Sequence, residues 1–588
     1  TAVSDNPDFI PDPTVSPVNP DGTAQLTYHA AEGTGRAKIT ITVSAEGSED
    51  KVITFNIDVL SEETEYVVQI NRDSTFQTIR GFGTFSNSPM YIDLYARDLG
   101  ASAMRLGLIS NQIEPVNDNN DPNVLDLNAF NYDAFDFDYY RQLKEAGVET
   151  FILTSWSPPA WMKRNLTLDF FTAQAVRWED TDNILEPHYY DEFAESMVAA
   201  VKMFKDQAGI DLYAIGPQNE PAFNEPYPSA VLSPVRFAEL IEIIGARFEA
   251  EGIDTKIYMP EQVFSQSHYS MQQYIDMMQA NPNAYKYTDI IATHGYDTDG
   301  IGEAQPDYSD WTLMWKNAQA GSHPKEVWMT ETFPEYQNWN SALSLAGAIH
   351  GALWAGNVGL WTLWNIDGTL IESGKPTPSF YTSKNYYKYI RRGAKRIAAE
   401  ANHQDLLVTA FDHKDQKRVT VVIINKGSAP KSFVLEGSGL PLSFEVYTTA
   451  KNRNFEFAGT TNGTSPVALP AKSVTTLTGI YESDIAMEDD TDSDIPVTYR
   501  LFQNYPNPFN PATTIEFQLP EATHVHLKIY DILGREVRTL INEQFPSGIH
   551  RVHWDGKNNS GISVASGVYL YRIRARNFIS VKKSVLIR

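Results

Sequence analysis

Two glutamates stand out in this chain, each closing a short apolar stretch. Glu220 ends the run Tyr213-Ala-Ile-Gly-Pro-Gln-Asn-Glu220, before Pro221, and Glu331 ends Val327-Trp-Met-Thr-Glu331. Both stretches read as buried strands, so each acid is delivered at a strand tip. Two carboxylates presented in this way suit the cleavage of a glycosidic bond. One protonates the departing oxygen while the other attacks or supports the sugar carbon. In that scheme Glu331 is the nucleophile and Glu220 the acid/base. Retention of configuration needs carboxyl groups about 5–5.5 Å apart.

Neighbouring residues fit the same chemistry. Asn219 could hydrogen-bond a sugar 2-hydroxyl, a contact that strengthens in the transition state. Pro221 is expected to hold Glu220 in an extended backbone. Arg105, in Met104-Arg-Leu-Gly107, could keep a carboxylate ionised or serve a structural ion pair. Tyr296, in Thr293-His-Gly-Tyr296, could hydrogen-bond the nucleophile, and His294 could touch substrate or satisfy a bond in the core. Sugar rings stack their C–H faces on indole. Among Trp156, Trp161, Trp361 and Trp364, the strand-end residues Trp156 and Trp364 are the candidate platforms. No metal or cofactor is expected. The histidines lack ligand spacing such as His-Glu-x-x-His, and Asp118-Asn-Asn-Asp121 could catch calcium but reads rather as a solvated loop. Gly81-Phe-Gly83 lacks a third glycine and reads as a tight turn.

Positioning these residues requires a rigid frame. From about Ser74 to Arg392, eight strand-like runs recur with amphipathic helical stretches between them: Thr78–Phe85, Ser102–Leu108, Glu149–Ser157, Asp211–Glu220, Lys256–Gln262, Asp289–Tyr296, Glu326–Thr332 and Gly359–Asn365. That alternation predicts a (β/α)₈ TIM barrel, in which catalytic groups gather at the C-terminal ends of the strands. Glu220 and Glu331 then fall on the fourth and seventh strands. The expected fold is multidomain: a partial Ig-like β module over 1–62, the barrel over 63–393, and a fused β-sandwich side domain over 394–481 that recruits the strand 65–70. An acidic linker over 482–497 and an Ig-like β-sandwich module over 498–588 complete it. Glu482–Asp494 holds seven acidic residues and no basic one, which reads as extended chain.

Composition excludes some partners. The 588 residues carry a formal net charge of −27, so a nucleic-acid partner is not expected, because such binding rests on basic patches. Residues 498–588 hold 12 Lys/Arg against 6 Asp/Glu, or +6, which leaves −33 on the remainder and marks the tail as a separate module. There is no cysteine, so no disulfide and no thiol chemistry. No apolar run approaches the roughly 18 residues of a membrane span. The opening residues carry no signal-peptide pattern. A monomer is expected.

These motifs resemble glycoside hydrolase family 30 over about Glu65 to Tyr481. The resemblance rests on Arg80-Gly-Phe-Gly83, Ser155-Trp-Ser-Pro-Pro-Ala-Trp-Met-Lys163, Gln218-Asn-Glu-Pro221, Thr293-His-Gly-Tyr296, Trp328-Met-Thr-Glu331 and the run Tyr386–Ile397. It implies a retaining double displacement with Glu220 as acid/base and Glu331 as nucleophile. It also implies an endo-acting hydrolase of β-linked plant polysaccharide, xylan or glucuronoxylan first and β-1,6-glucan or β-1,6-galactan as the alternative. The glucuronate-reading arginine segment of the xylanase branch is not matched by Asn365-Ile-Asp-Gly-Thr-Leu-Ile371. A different class, a non-catalytic carbohydrate-binding surface protein on a decayed barrel, is opposed by the retention of both glutamates. The tail is similar to type IX secretion sorting domains through Asn504-Tyr-Pro-Asn-Pro-Phe-Asn-Pro511 and Gly567-Val-Tyr-Leu-Tyr571. That implies the type IX machinery as a partner and a secreted or outer-membrane-attached location.

Overall fold

The structure, a computed structural model, describes residues 1–588 except 19–23, 31–34, 45–49, 60–64, 86–90, 169–173, 265–267, 297–307, 335–336, 482–498, 503, 505–508, 510–511, 532–533, 577 and 587–588. The acidic linker and most of the Asn504–Pro511 motif lie outside the described residues. The chain divides into two compact units, 60–484 and 1–59 with 485–588.

In the first unit, eight parallel strands close into a barrel, hydrogen-bonded in chain order: β1 (Gly81–Phe85), β2 (Ala103–Ile109), β3 (Thr150–Ser157), β4 (Ala214–Gly216), β5 (Lys256–Val263), β6 (Thr288–His294), β7 (Glu326–Glu331) and β8 (Val358–Leu363). Every residue of β3 and β8 is buried, as expected of strands covered on both faces. The barrel interior is filled by Ala103, Ile152, Ala214, Tyr258, Ile290, Ala292, Trp328 and Leu360. Alanines on some strands leave room for the two large rings.

Outside run α1 (Phe137–Glu145), α2 (Tyr190–Ala208), α3 (Pro234–Glu251), α4 (Met271–Ala280), α5 (Ser309–Gln319), α6 (Trp339–Trp354) and α7 (Pro378–Tyr387). Their ends are set locally. Ser233 caps α3, with Pro234 at its first position, and Ser270 with Gln273 forms a capping box on α4. Between β1 and β2 lies a short π-helix, Asp93–Leu99. Gly81-Phe-Gly83 is not the expected tight turn but part of β1. A Cβ on Gly83 would stand 2.0 Å from the Ala103 carbonyl oxygen, so the glycine permits close approach of β1 and β2.

The side domain is a β-sandwich built from a nine-stranded sheet. Its strand Glu65–Thr78 is longer than the expected 65–70. It runs antiparallel to Lys395–Ala401 and parallel to Lys431–Glu436 before the chain enters β1. Val68, Ile397, Val421, Phe433, Phe444 and Leu477 are among the residues forming its core. Polar contacts bind it to the barrel: Asn385 Nδ2 donates to Thr449 Oγ1 at 2.8 Å, and Arg396 Nη2 to Asn357 Oδ1 at 2.9 Å.

In the second unit, Ala2–Ser4, Gly35–Val43 and Lys51–Val59 form an antiparallel sheet. The C-terminal part is Ig-like, with sheets of three and four strands around Phe517, Leu527, Trp554 and Tyr571. Its strand Thr513–Leu519 alternates buried and half-buried residues, the period-2 signature. Among the described residues, no helix is long and apolar enough to cross a membrane.

Candidate active site

The C-terminal ends of β5, β6 and β7, the turn after β4 and the third residue of β2, Arg105, which does not end its strand, bring the candidate residues into one cluster. Glu331 is the last residue of β7 and is held from two sides. Arg105 Nη1 donates to its Oε2 at 2.6 Å, and Tyr296 Oη donates to its Oε1 at 2.7 Å. Arg105 is fully buried. It also donates through Nε to Glu261 Oε1 at 3.1 Å and through Nη2 to Asn219 Oδ1 at 2.8 Å. Burial alone would lower the guanidinium pKa. The Glu261 and Glu331 charges outweigh it, so Arg105 is held above its ordinary value. It therefore stays a fixed cation beside Glu331.

Glu220 is not at the tip of a strand, because β4 stops at Gly216. Nor is it extended, as Pro221 led us to expect. Its φ is 44°, in the left-handed region. The turn is fixed by tertiary hydrogen bonds, from Glu220 N to Glu261 O at 3.1 Å and from Phe223 N to Glu220 O at 2.9 Å. Ala222 N adds a bond to Gln262 Oε1 at 3.2 Å. Strained backbone at a site of this kind must be over-determined by its surroundings, and the end of β5 does this.

His294 lies between the two acids. Its Nδ1 is 2.7 Å from Glu220 Oε1, and its Nε2 is 3.7 Å from Glu331 Oε2. Burial would lower its pKa, but the Glu331 charge and the Glu220 hydrogen bond raise it above the usual value. One oxygen of Glu220, one of Glu331 and a ring nitrogen of His294 lie within 4.8 Å of one another. The same three groups could in principle ligate a metal. However, Arg105 already presents a cation to Glu331, and Glu220 already engages the imidazole.

Two further acids and a phenol were not legible in the sequence. Glu225 is buried and shares a side-chain hydrogen bond with Glu220. Two carboxyl groups bond only if one carries a proton. Burial and then the Glu220 charge push Glu225 up to about 8. Glu220 itself sits below its usual value, since the His294 contacts outweigh its burial. Tyr227 Oη donates to Glu220 Oε2 at 3.3 Å. Burial, and then the Glu220 and Glu225 charges, hold that phenol in its protonated, donating form. Glu261, also fully buried, raises the negative charge beneath Arg105.

The loop carrying Glu225 and Tyr227 is braced by Lys163, the last residue of the motif Ser155–Lys163, and by Asn183. Lys163 Nζ donates to Ser229 O at 2.9 Å, and Asn183 Nδ2 donates to Asn224 Oδ1 at 2.7 Å and Ser229 Oγ at 3.0 Å. The aromatic residues divide. Trp156 is buried, with Arg105 Cζ 4.7 Å from its ring. Trp364 is half-buried and stacks on Phe85 at 4.8 Å and 2°. Trp361 is fully buried, and Trp161 donates its indole N–H to Glu114 O at 3.1 Å. Asp118-Asn-Asn-Asp121 is not wholly solvated, since Asp118 Oδ1 is hidden from solvent.

Residues 393–477 match the glycosyl hydrolase family 30 beta sandwich domain, and residues 507–577 match the FlgD Ig-like domain. The chain is 27% identical over 439 residues to glucuronoxylanase XynC of Bacillus subtilis (strain 168), spanning 70% of this chain and 90% of that one. It is 26% identical over 220 residues to an endo-1,6-beta-D-glucanase of Neurospora crassa, spanning 36% of this chain and 40% of that one. In fold it is similar to a GH30 endoxylanase from Clostridium papyrosolvens C71, with a TM-score of 0.56 at 24% identity, over 70% of this chain and 99% of that one. The side-domain match and these relatives support glycoside hydrolase family 30 for this chain.

Proposed function

We propose that this chain is a retaining, endo-acting glycoside hydrolase of β-linked polysaccharide, with xylan the favoured substrate. The observation that carries the reading is the approach of a Glu220 oxygen and a Glu331 oxygen to within 4.8 Å. An oxygen pair this close supports carboxyl groups near the roughly 5–5.5 Å of a double displacement rather than the roughly 6.5–9.5 Å that admits a water in inverting enzymes. Glu331, held by Arg105 and oriented by Tyr296, attacks the anomeric carbon. The Glu220–Glu225 pair holds one proton, which Glu220 gives to the leaving oxygen. Glu220 then takes a proton from the water that releases the sugar from Glu331. Asn219, oriented by Arg105, lies beside the acid where a 2-hydroxyl is read.

The glucuronoxylanase relative favours xylan. The unmatched segment Asn365–Ile371 favours a xylan cleaved without a glucuronate requirement. A second reading, cleavage of β-1,6-glucan, is favoured by the Neurospora relative. The test is a panel of xylan, glucuronoxylan, β-1,6-glucan and β-1,6-galactan with wild type, Glu331→Gln and Glu220→Gln. Xylan should be cut by wild type. The rate should fall on the order of 10⁴-fold or more in Glu331→Gln and about 10²–10⁴-fold in Glu220→Gln. Sugar release untouched by Glu331→Gln would remove the nucleophile assignment. Export through a type IX route is likewise our proposal; deletion of residues 498–588 should leave the protein inside its cell.

A further inference from the structure

Away from the catalytic glutamates, a second group of acids is gathered where the loop after β2 meets the first turns of α2. Glu114 and Glu195 are fully buried and Glu192 nearly so, and Asp118 reaches in from the loop. Oxygens of Asp118, Glu192 and Glu195 lie within 4.8 Å of one another. What sets this apart from an ordinary acidic cluster is the fate of the acceptors. Glu114 Oε1, Asn117 Oδ1, Asp118 Oδ1, Glu192 Oε2 and both Glu195 oxygens are hidden from solvent, and apart from contacts within the group, of Glu192 with Asn117 and with Glu195, none finds a hydrogen-bond donor among the described residues. Buried carboxyl oxygens with no donor outside the group are costly. The nearby cation is Arg247, whose Nη2 stands 3.9 Å from Glu195 Oε1. That guanidinium is shared with Glu251, whose Oε1 accepts from its Nε at 3.1 Å.

We propose that this cluster is a structural calcium site, with Asp118, Glu192 and Glu195 as its core ligands and Glu114 and Asn117 completing the oxygen shell. Calcium takes six to eight oxygens at about 2.3–2.6 Å. Ligands on opposite sides of such an ion stand roughly 4.6–5.2 Å apart, so oxygens within 4.8 Å of one another can enclose it. Carboxylate and amide oxygens are the hard donors this ion selects, and a divalent charge offsets most of the excess that Arg247 leaves. Magnesium fits less well, because it keeps several waters and holds few protein ligands. The ion would clip the loop carrying Asp118 onto α2.

The full chain, purified with calcium and then desalted, should retain about one calcium per molecule by elemental mass spectrometry. Chelation should lower its melting temperature by several degrees, and calcium but not magnesium should restore it. Asp118→Asn and Glu195→Gln should each abolish the calcium-dependent shift, whereas Glu331→Gln should keep it. Wild type without bound calcium and with an unchanged melting temperature would overturn the assignment, the carboxyls then holding protons instead. So would equal rescue by magnesium, or a shift that survives in Asp118→Asn and Glu195→Gln. Loss of the shift in Glu331→Gln would move the ion to the barrel mouth and equally overturn it.

Discussion

The two catalytic acids differ in what surrounds them, and the difference assigns their work. Glu331 is held by a permanent cation and a phenol, one on each of its oxygens, which fix its orientation. Glu220 is paired with another carboxyl group, which keeps a proton in the site. The pair loses that proton as pH rises through about 8, so hydrolysis should fall on the alkaline side near that value. Such a limb belongs to the pair rather than to either residue. In Glu225→Gln the like charge disappears, and the amide can donate to the Glu220 carboxylate. Glu220 then keeps its lowered value, and the alkaline limb of kcat/KM should move to lower pH by about a unit or more. A limb that stays in place in a folded variant would make Glu225 a packing residue only. Glu220, Glu331, Asn219, Arg105, Tyr296 and His294 could be read in the sequence because each lies in, ends or follows a recognisable apolar run. Glu225 and Tyr227 could not, since only the fold of the loop after Pro221 turns them back onto Glu220.

At the scale of elements, the barrel strands announce themselves because burial on both faces demands continuous apolar runs. The edges of that rule explain the differences. Lys395–Ala401 is rich in alanine and charge and carries little strand propensity, yet it pairs on both sides, with Glu65–Thr78 and Leu406–His413. Pairing overrides composition there. β4 is only three residues long because the chain must leave the barrel early to place Glu220 in its turn. Gly83 shows how tightly β1 and β2 approach. Gly83→Ala forces its Cβ toward Ala103 O and should destabilise the protein by about 1–3 kcal/mol, read as a lower denaturation midpoint. An unchanged midpoint would mean that the two strands are not so closely apposed.

The whole molecule separates its tasks. Residues 60–484 contain the barrel, the side domain whose strand Glu65–Thr78 feeds directly into β1, and every residue assigned to catalysis. A fragment of residues 60–484 should therefore hydrolyse polysaccharide with a kcat within about twofold of the full chain, measured on a soluble oligosaccharide. Loss of activity in a folded fragment would place part of the machinery in the other unit. The charge asymmetry of the sequence anticipates such a division, with a basic tail following an acidic body.

The most direct test of the double displacement uses an activated 2-deoxy-2-fluoro glycoside of the sugar that the enzyme hydrolyses. Slow turnover of that probe traps the glycosyl–enzyme ester, and peptide mass spectrometry locates it. The account predicts the label on Glu331. A label on Glu220 or any other residue, or turnover with inversion and no trapped ester, would contradict it.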